Sequence, residues 1–321
     1  MRLTLHQLKV FETVARLSSF SRASEVLHLA QPTVSIQVKQ LSDIVGMPLF
    51  EQIGKKIFLT EAGDLVQRNA REIFNAMESL EMQLAQLRGL KQGRLKIAVV
   101  TTAKYFVPRL LGPFSHQYPG IDIALDVGNR SEIVSRLSRN EDDLYIMGMP
   151  PAGIQIQRHP FVENPIVAVA PKDHPLAGKK HISLERLVQE PFLLRERGSG
   201  TRMATERFLK TQGVKLNVRM ELGSNEAIKQ AVIGGLGLAL LSLHALLGEL
   251  KRQELVLLNV TGLPIRRHWY IVHRCGKELS AVAETFFEYL EAEGTRLQGD
   301  LREAQAAHTL IVPQHGPKHR R

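Results

Sequence analysis

Seven apolar residues, Val66, Ala70, Ile73, Met77, Leu80, Leu84 and Leu87, follow one another at steps of 4, 3, 4, 3, 4 and 3. Residues so spaced share one stripe of an α-helix, and an unbroken heptad is the seam of a coiled coil. Thr60 stands where such a helix needs a cap. A linker helix is therefore expected over residues 61–90. No comparable apolar helix precedes it in the chain, so its expected partner is a second copy. The other way to use the stripe is to lie on the helix's own domain.

The stripe separates two unlike patterns. Before it, residues 1–60 read as short helices. Leu5, Leu8, Phe11 and Val14 recur at helical spacing. Ser21, with Glu25 behind it, is the expected N-cap of a second helix. Pro32 suits the first turn of a third helix, which carries Val34, Val38, Leu41 and Val45 inward and ends at Gly46. Phe50 to Leu59 folds about Gly54 as a two-stranded wing. After the stripe, extended apolar runs alternate with amphipathic stretches from Arg94 to Glu293. This predicts an α/β region with largely parallel sheets and enough chain for two lobes. Residues 294–321 are polar and basic at the end and read as a disordered tail.

Composition narrows the function. Net charge is +10, which favours polyanionic partners. The excess is diffuse: residues 1–60 hold 7 Lys and Arg against 4 acidic residues. The DNA reading must therefore rest on a motif. Cys275 is the only cysteine, so neither an intramolecular disulfide nor a Cys-based zinc site can form. Cys275 is expected to be packed. The 12 histidines show no spacing that makes a metal site, and His308, His315 and His319 lie in the tail. The N-terminal stretch carries Glu12 and Arg16 among its apolar residues, unlike a signal peptide. No run is long and apolar enough to span a membrane. A cytoplasmic protein is expected.

Two short helices with a tight connection, the second with one apolar stripe, form a helix–turn–helix. With the stripe inward, Gln31, Thr33, Ser35, Ile36 and Lys39 point elsewhere. Gln reads adenine edges, hydroxyls read base or phosphate, and an apolar side chain meets a thymine methyl. Lys39, Lys55 and Lys56 suit phosphates. Ser21 and Arg22 on the preceding helix complete the candidate DNA-contacting set. The plainer alternative is a solvated polar face.

The words SFSRASEVLHLAQPTVSIQVKQL and PLFEQIGKKIFLTEAG closely resemble the N-terminal domain of LysR-type transcriptional regulators. The resemblance covers residues 1–293. Within the family, TTAKYFVPRLL, VGNRSEIV, DDLYIMGMPP and RERGSGTR look most like the regulators of RuBisCO operons, the CbbR-type subgroup. The resemblance implies a winged helix–turn–helix over 1–60, a coiled-coil linker over 61–90 and a two-lobed, periplasmic-binding-protein-like effector domain over 91–293. It places Gln31, Pro32, Ser35 and Ile36 at DNA-contacting positions. Two departures stand out: many relatives have Ser in place of Ala30 and Arg in place of Ile36.

Within the α/β region, polar residues gather where strands feed helices. They are Thr101, Thr102 and Lys104; Asn129, Arg130 and Ser131; Arg195, Ser199, Gly200, Thr201 and Arg202; and Asn225 and Glu226. Helix N-termini favour anions, and open α/β sheets bind ligands at the carboxyl ends of their strands. Thr101, Ser131, Thr201 and Asn225 serve equally well as plain caps. Together the four corners point to a small anionic ligand. The resemblance implies an effector between the lobes, a phosphorylated sugar or other carbon-fixation metabolite, or NADPH, and no cofactor.

The chain thus reads as a DNA-binding regulator without catalysis. Operator DNA, the anionic effector, a second copy through the linker helix within a tetramer, and RNA polymerase are its expected partners. A solute-binding protein and a cytosolic enzyme are the alternatives. The lack of a signal peptide and the additional N-terminal segment count against the first. Ser199 lacks a G-x-S-x-G elbow, and no nucleophile–base pair supports the second.

Overall fold

The computed structural model describes residues 3–54, 56–87 and 92–309. The expectations for Lys55 and for 310–321 lie outside the described residues. The chain forms two compact units that part at Leu84 and Ala85.

The first unit comprises α1 (Leu5–Leu17), α2 (Phe20–Leu27), α3 (Gln31–Val45), the antiparallel hairpin β1 (Phe50–Ile53) and β2 (Lys56–Leu59), and α4 (Glu61–Leu87). Thr4 and Gln7 form a reciprocal capping box on α1. The cap of α2 is Ser19 and not Ser21: the Ser19 hydroxyl accepts from the Arg22 backbone N–H, and Ser21 lies inside the first turn. Starting two residues earlier puts Phe20 at the first helical position, its ring 5.8 Å from that of Phe50. Leu8, Phe11 and Val14 of α1, Ala23 of α2, and Val34, Val38 and Leu41 of α3 close the core with Leu49 and Ala70.

Thr60 caps α4 by accepting from the Gly63 N–H, and its own hydroxyl donates to the Pro48 carbonyl. Gly63 has no room for a side chain, because the Leu49 carbonyl lies against it. The heptad stripe divides. Val66 and Ala70 pack on the first unit's core, whereas Ile73, Met77, Leu80 and Leu84 are each at least 40% exposed in the single chain.

The second unit holds two five-stranded sheets. The first is ordered β4 (Ile121–Gly128), β3 (Gly93–Val100), β5 (Leu144–Met147), β12 (His268–Arg274) and β6 (Ile156–Glu163). The second is ordered β11 (Leu255–Leu257), β7 (Ile166–Pro171), β10 (Leu238–Ser242), β8 (Pro191–Arg195) and β9 (Asn217–Leu222). The helices are α5 (Val107–Gln117), α6 (Arg130–Ser138), α7 (Leu184–Leu187), α8 (Gly200–Thr211), α9 (Asn225–Ile233), α10 (Leu247–Lys251) and α11 (Ala281–Thr309).

Largely parallel sheets were the expectation, and the sheets are mixed. β3 runs parallel to β4 and β5, and β8 to β9 and β10. β12 runs antiparallel to β5 and β6, and β7 to β10 and β11. The reason is the route of the chain. It leaves the first lobe at the end of β6 and re-enters beside that point to start β12, so β12 runs back along β6 instead of crossing the sheet to run parallel. The two crossings lie side by side. Ile166 and Ile265 exchange hydrogen bonds of 3.0 and 2.9 Å, and the Asn164 N–H donates to the Arg267 carbonyl at 2.7 Å.

The final helix does not stop at Glu293. α11 runs on to Thr309, so a disordered tail from 294 is corrected for residues 294–309. Gly294 packs against the Phe161 carbonyl, Gln298 accepts from the Glu163 N–H at 2.9 Å, and Leu301 is buried. These contacts anchor a face that the polar composition conceals. Cys275, expected to be packed, is exposed in the turn after β12.

Candidate DNA interface and ligand cleft

On the first unit, Gln31, Pro32, Ile36 and Lys39 are exposed along α3, with Thr33 and Ser35 half-buried beside them. The Gln31 amide donates to the Ser35 hydroxyl at 3.3 Å, one helical turn away. Ile36 is 53% exposed, so its side chain is open to a partner on the exposed side of α3. Ala30 provides no side-chain cap, so the first backbone N–H groups of α3 stay open to a phosphate. Ser21 and Arg22 are exposed on α2 and Lys56 on the wing.

In the second unit, a cavity of about 20 Å³ between the lobes is lined by Val100, Thr101, Thr102, Arg130, Gly148, Met149, Ser199, Gly200, Thr201, Arg267 and Trp269. Six of these, Thr101, Thr102, Arg130, Ser199, Gly200 and Thr201, are sequence candidates. The caps fall elsewhere than expected. Asn129 caps α6, exchanging bonds with Glu132; Ser199 caps α8; and Ser224 caps α9. Thr101, Ser131, Thr201 and Asn225 are thus free of that duty.

Arg195 and Asn225 stand directly behind the cavity and join the lobes. Arg195 donates to Thr101 at 3.2 Å and to Asn225 at 2.6 Å, and the Asn225 amide donates to Thr102 at 3.3 Å. Glu196 neutralises Arg195 through two hydrogen bonds. Ser131 sits against Gly198, where a Cβ would meet its hydroxyl at 2.7 Å. Other candidates face away from the cavity. Arg202 pairs with Glu206 and Glu221, which hold its pKa up. Glu226 bonds Tyr105 and Lys229, and Lys104 lies over the Tyr105 ring.

Arg267 and Trp269 were not legible as site residues. Arg267 donates to the Asn164 carbonyl, the Gly200 carbonyl and the Thr201 hydroxyl, and burial pushes its pKa down to about 10. Arg130 donates to the Met149 carbonyl, and burial followed by repulsion from Arg207 lowers its pKa. Neither guanidinium has a carboxylate partner among the described residues. Two such cations beside the N-termini of α6 and α8 favour an anion. No group of His, Cys, Asp and Glu among the described residues could hold a metal.

A winged helix–turn–helix joined to a two-lobed domain with a cationic cleft defines a DNA-binding regulator that answers to a small ligand. The chain belongs to the LysR family of transcriptional regulators. Residues 5–64 match the model described as bacterial regulatory helix-turn-helix protein, lysR family, and residues 88–295 match the LysR substrate binding domain. The HTH-type transcriptional activator CmpR of Synechocystis sp. is 53% identical over 289 residues, 90% of this chain and 95% of that protein. The RuBisCO operon transcriptional regulator of Acidithiobacillus ferrooxidans is 50% identical over 289 residues, 90% of this chain and 94% of its own. Among solved structures, the CcmR regulatory domain of Synechocystis PCC6803 in complex with 2-PG is 50% identical, with a TM-score of 0.62. It covers 64% of this chain and 99% of that one. The LysR family regulator CbnR shares the fold at 20% identity, TM-score 0.63, over 91% of this chain and 99% of its own. Among the described residues no helix is long and apolar enough to cross a membrane.

Proposed function

We propose that this regulator controls carbon-fixation genes in the cytoplasm, and that a compact phosphorylated metabolite held between the lobes switches its grip on operator DNA. The observation that carries the ligand class is the pair Arg130 and Arg267, two partly buried guanidinium groups facing one cavity with no carboxylate between them. An anion compensates both. The 2-PG bound by the CcmR domain, at 50% identity, supports the same class. The cavity is about one water in size, so the lobes must part for entry. A small ligand needs less parting than NADPH does. Thr101, Thr102, Ser199, Gly200 and Thr201 line the site, and Arg195 and Asn225 hold its two walls.

Gln31, Pro32, Thr33, Ser35 and Ile36 read the operator. Ser21, Arg22, Lys39, Lys55 and Lys56 take its phosphates. The exposed half of the α4 stripe pairs with a second copy, and two such dimers form a tetramer that meets RNA polymerase at the promoter. Effector binding favours the arrangement with the lobes together, and that difference in affinity is the energy of the switch.

Calorimetry of the full chain with 2-PG, inorganic phosphate and NADPH tests the ligand class. Wild type binds 2-PG, and Arg130→Gln weakens it about tenfold or more, the scale of a lost charged hydrogen bond. Operator binding without effector is unchanged in the variant. If none of the three anions binds the wild type, the cleft is not an anion site.

A further inference from the structure

At the end of the cleft where the chain crosses between lobes, two donors lack acceptors and a third group is weakly paired. Trp269, the sole tryptophan, is 1% exposed, lines the cavity, and its indole N–H has no hydrogen-bond partner. Asn164, on the first crossing segment, is fully buried. Its Oδ1 accepts from Ser242 at 2.7 Å, but its Nδ2 has no partner. Arg267, on the second segment, directs its donors to two carbonyls and a hydroxyl at 3.2–3.3 Å, long bonds for a charged donor. Asn164 and Arg267 meet behind Gly148, which lines the cavity together with Trp269. A Cβ on Gly148 would come 2.7 Å from Asn164 Nδ2 and 3.5 Å from Arg267 Nη1.

A buried donor left unpaired costs about 1–3 kcal/mol. Two unpaired donors and a weakly paired cation at one end of the cavity, where Gly148 adds no side chain to cover them, leave a place for an oxygen that the protein does not supply. We propose that Arg267, Trp269 and Asn164 grip an anionic oxygen of the effector at Gly148, and that the ligand thereby acts directly on the crossing segments. This rests on the cleft being the effector site and adds where the ligand is held and what it moves. Asn164 and Arg267 already bind each other's backbone, the Asn164 N–H to the Arg267 carbonyl and the Arg267 Nε–H to the Asn164 carbonyl. An oxygen drawn between their side chains tightens the two segments on which the lobes turn. Arg267 also bonds Gly200 and Thr201 at the start of α8, so it exchanges contacts with the second lobe for contacts with the ligand.

The test uses the full chain and 2-PG. Trp269→Phe keeps one aromatic ring and removes the N–H together with the five-membered half of the indole, so affinity falls about fivefold or more, the scale of at least one neutral hydrogen bond. Arg267→Lys keeps the charge, loses the fork, and weakens 2-PG about tenfold or more. A single cooperative thermal transition in both variants without ligand, lowered but well above the assay temperature, shows that the fold is retained. Because Trp269 is the only indole, wild-type tryptophan emission follows the site without any substitution and shifts on adding 2-PG. Wild type that binds 2-PG with its emission unchanged, beside a Trp269→Phe affinity within about twofold of wild type, overturns the grip and leaves the cleft as the effector site. Wild type that binds none of 2-PG, inorganic phosphate and NADPH overturns both.

Discussion

The Tyr105 hydroxyl, from the first lobe, donates to the Glu226 carboxylate of the second across 2.5 Å. Lys229 lies 3.0 Å from the same carboxylate and 4.8 Å from the centre of the Tyr105 ring, and it is itself buried against Glu249. Burial, then Glu226, pushes the Tyr105 pKa well up. Burial opposes ionisation of Glu226, but the Tyr105 bond and Lys229 outweigh it and hold its pKa down. The bridge is therefore a neutral phenol on a carboxylate throughout the neutral range.

Tyr105→Phe removes this bridge and leaves those of Arg195 with Thr101 and Asn225 with Thr102. Losing one bond from the joined state lowers 2-PG affinity by about three- to tenfold, because ligand energy then goes into bringing the lobes together. Calorimetry gives the ratio, and small-angle scattering of the ligand-free variant gives a larger radius. Equal affinity and radius would show that the bridges at Thr101 and Thr102 suffice.

On DNA, Gln31→Ala or Ser35→Ala lowers specific binding by about 1–3 kcal/mol. Lys39→Ala weakens all sequences alike and reduces the salt slope by about one unit. Gel-shift titrations at several salt concentrations separate the two effects. Wild-type operator affinity in both the Gln31 and Ser35 variants would move the reading surface off α3.

Leu80 is 55% exposed in the single chain. In a two-copy seam, Leu80→Asp buries an unpaired charge and lowers dimer stability by several kcal/mol, on the order of the cost of an uncompensated buried ion. Sedimentation at micromolar concentration shows monomer. A variant that stays fully oligomeric places the seam elsewhere.

Burial lowers the His244 pKa from 6.5 to about 4, and its Nε2 lies 2.9 Å from the Glu163 carbonyl. The folded chain keeps this ring neutral while the unfolded chain protonates it. Stability is thus intact above pH 6.5 and falls as pH drops towards 4, by about 3 kcal/mol in all. Urea titrations from pH 7 to 4 measure the slope, and His244→Gln flattens it. An equal slope in wild type and variant removes His244 from the cause.

Much of the first unit could be read from spacing alone. The Val34–Val38–Leu41 stripe is the core of α3, and Gly46 with φ +77° ends it. The cap of α2 was misread because Ser19 and Ser21 are equivalent serines, and only Phe20 against Phe50 distinguishes them. In the second unit, strand β6 has no apolar run of the kind that marks its neighbours. Its sequence IQRHPFVE has a proline and little apolar alternation, and it is specified by pairing with β12 more than 100 residues away. Arg267 and Trp269 are hidden for the same reason. Nothing local separates RRHWYIVH from any other strand, and their place at the cleft is set by that long-range pairing.

β12 lies inside the first lobe's sheet, between β5 and β6, although it is made after the whole second lobe. During synthesis the first lobe is an unfinished sheet until His268–Arg274 emerges, while β7 to β11 can complete their own sheet beforehand. The DNA-binding head is finished earlier still. A nascent chain can therefore present its complete helix–turn–helix head long before the first lobe can close, and a stop codon before His268 leaves that head without a finished ligand domain. The second lobe is an uninterrupted insert that can be excised as a unit, whereas the first has no contiguous gene segment of its own.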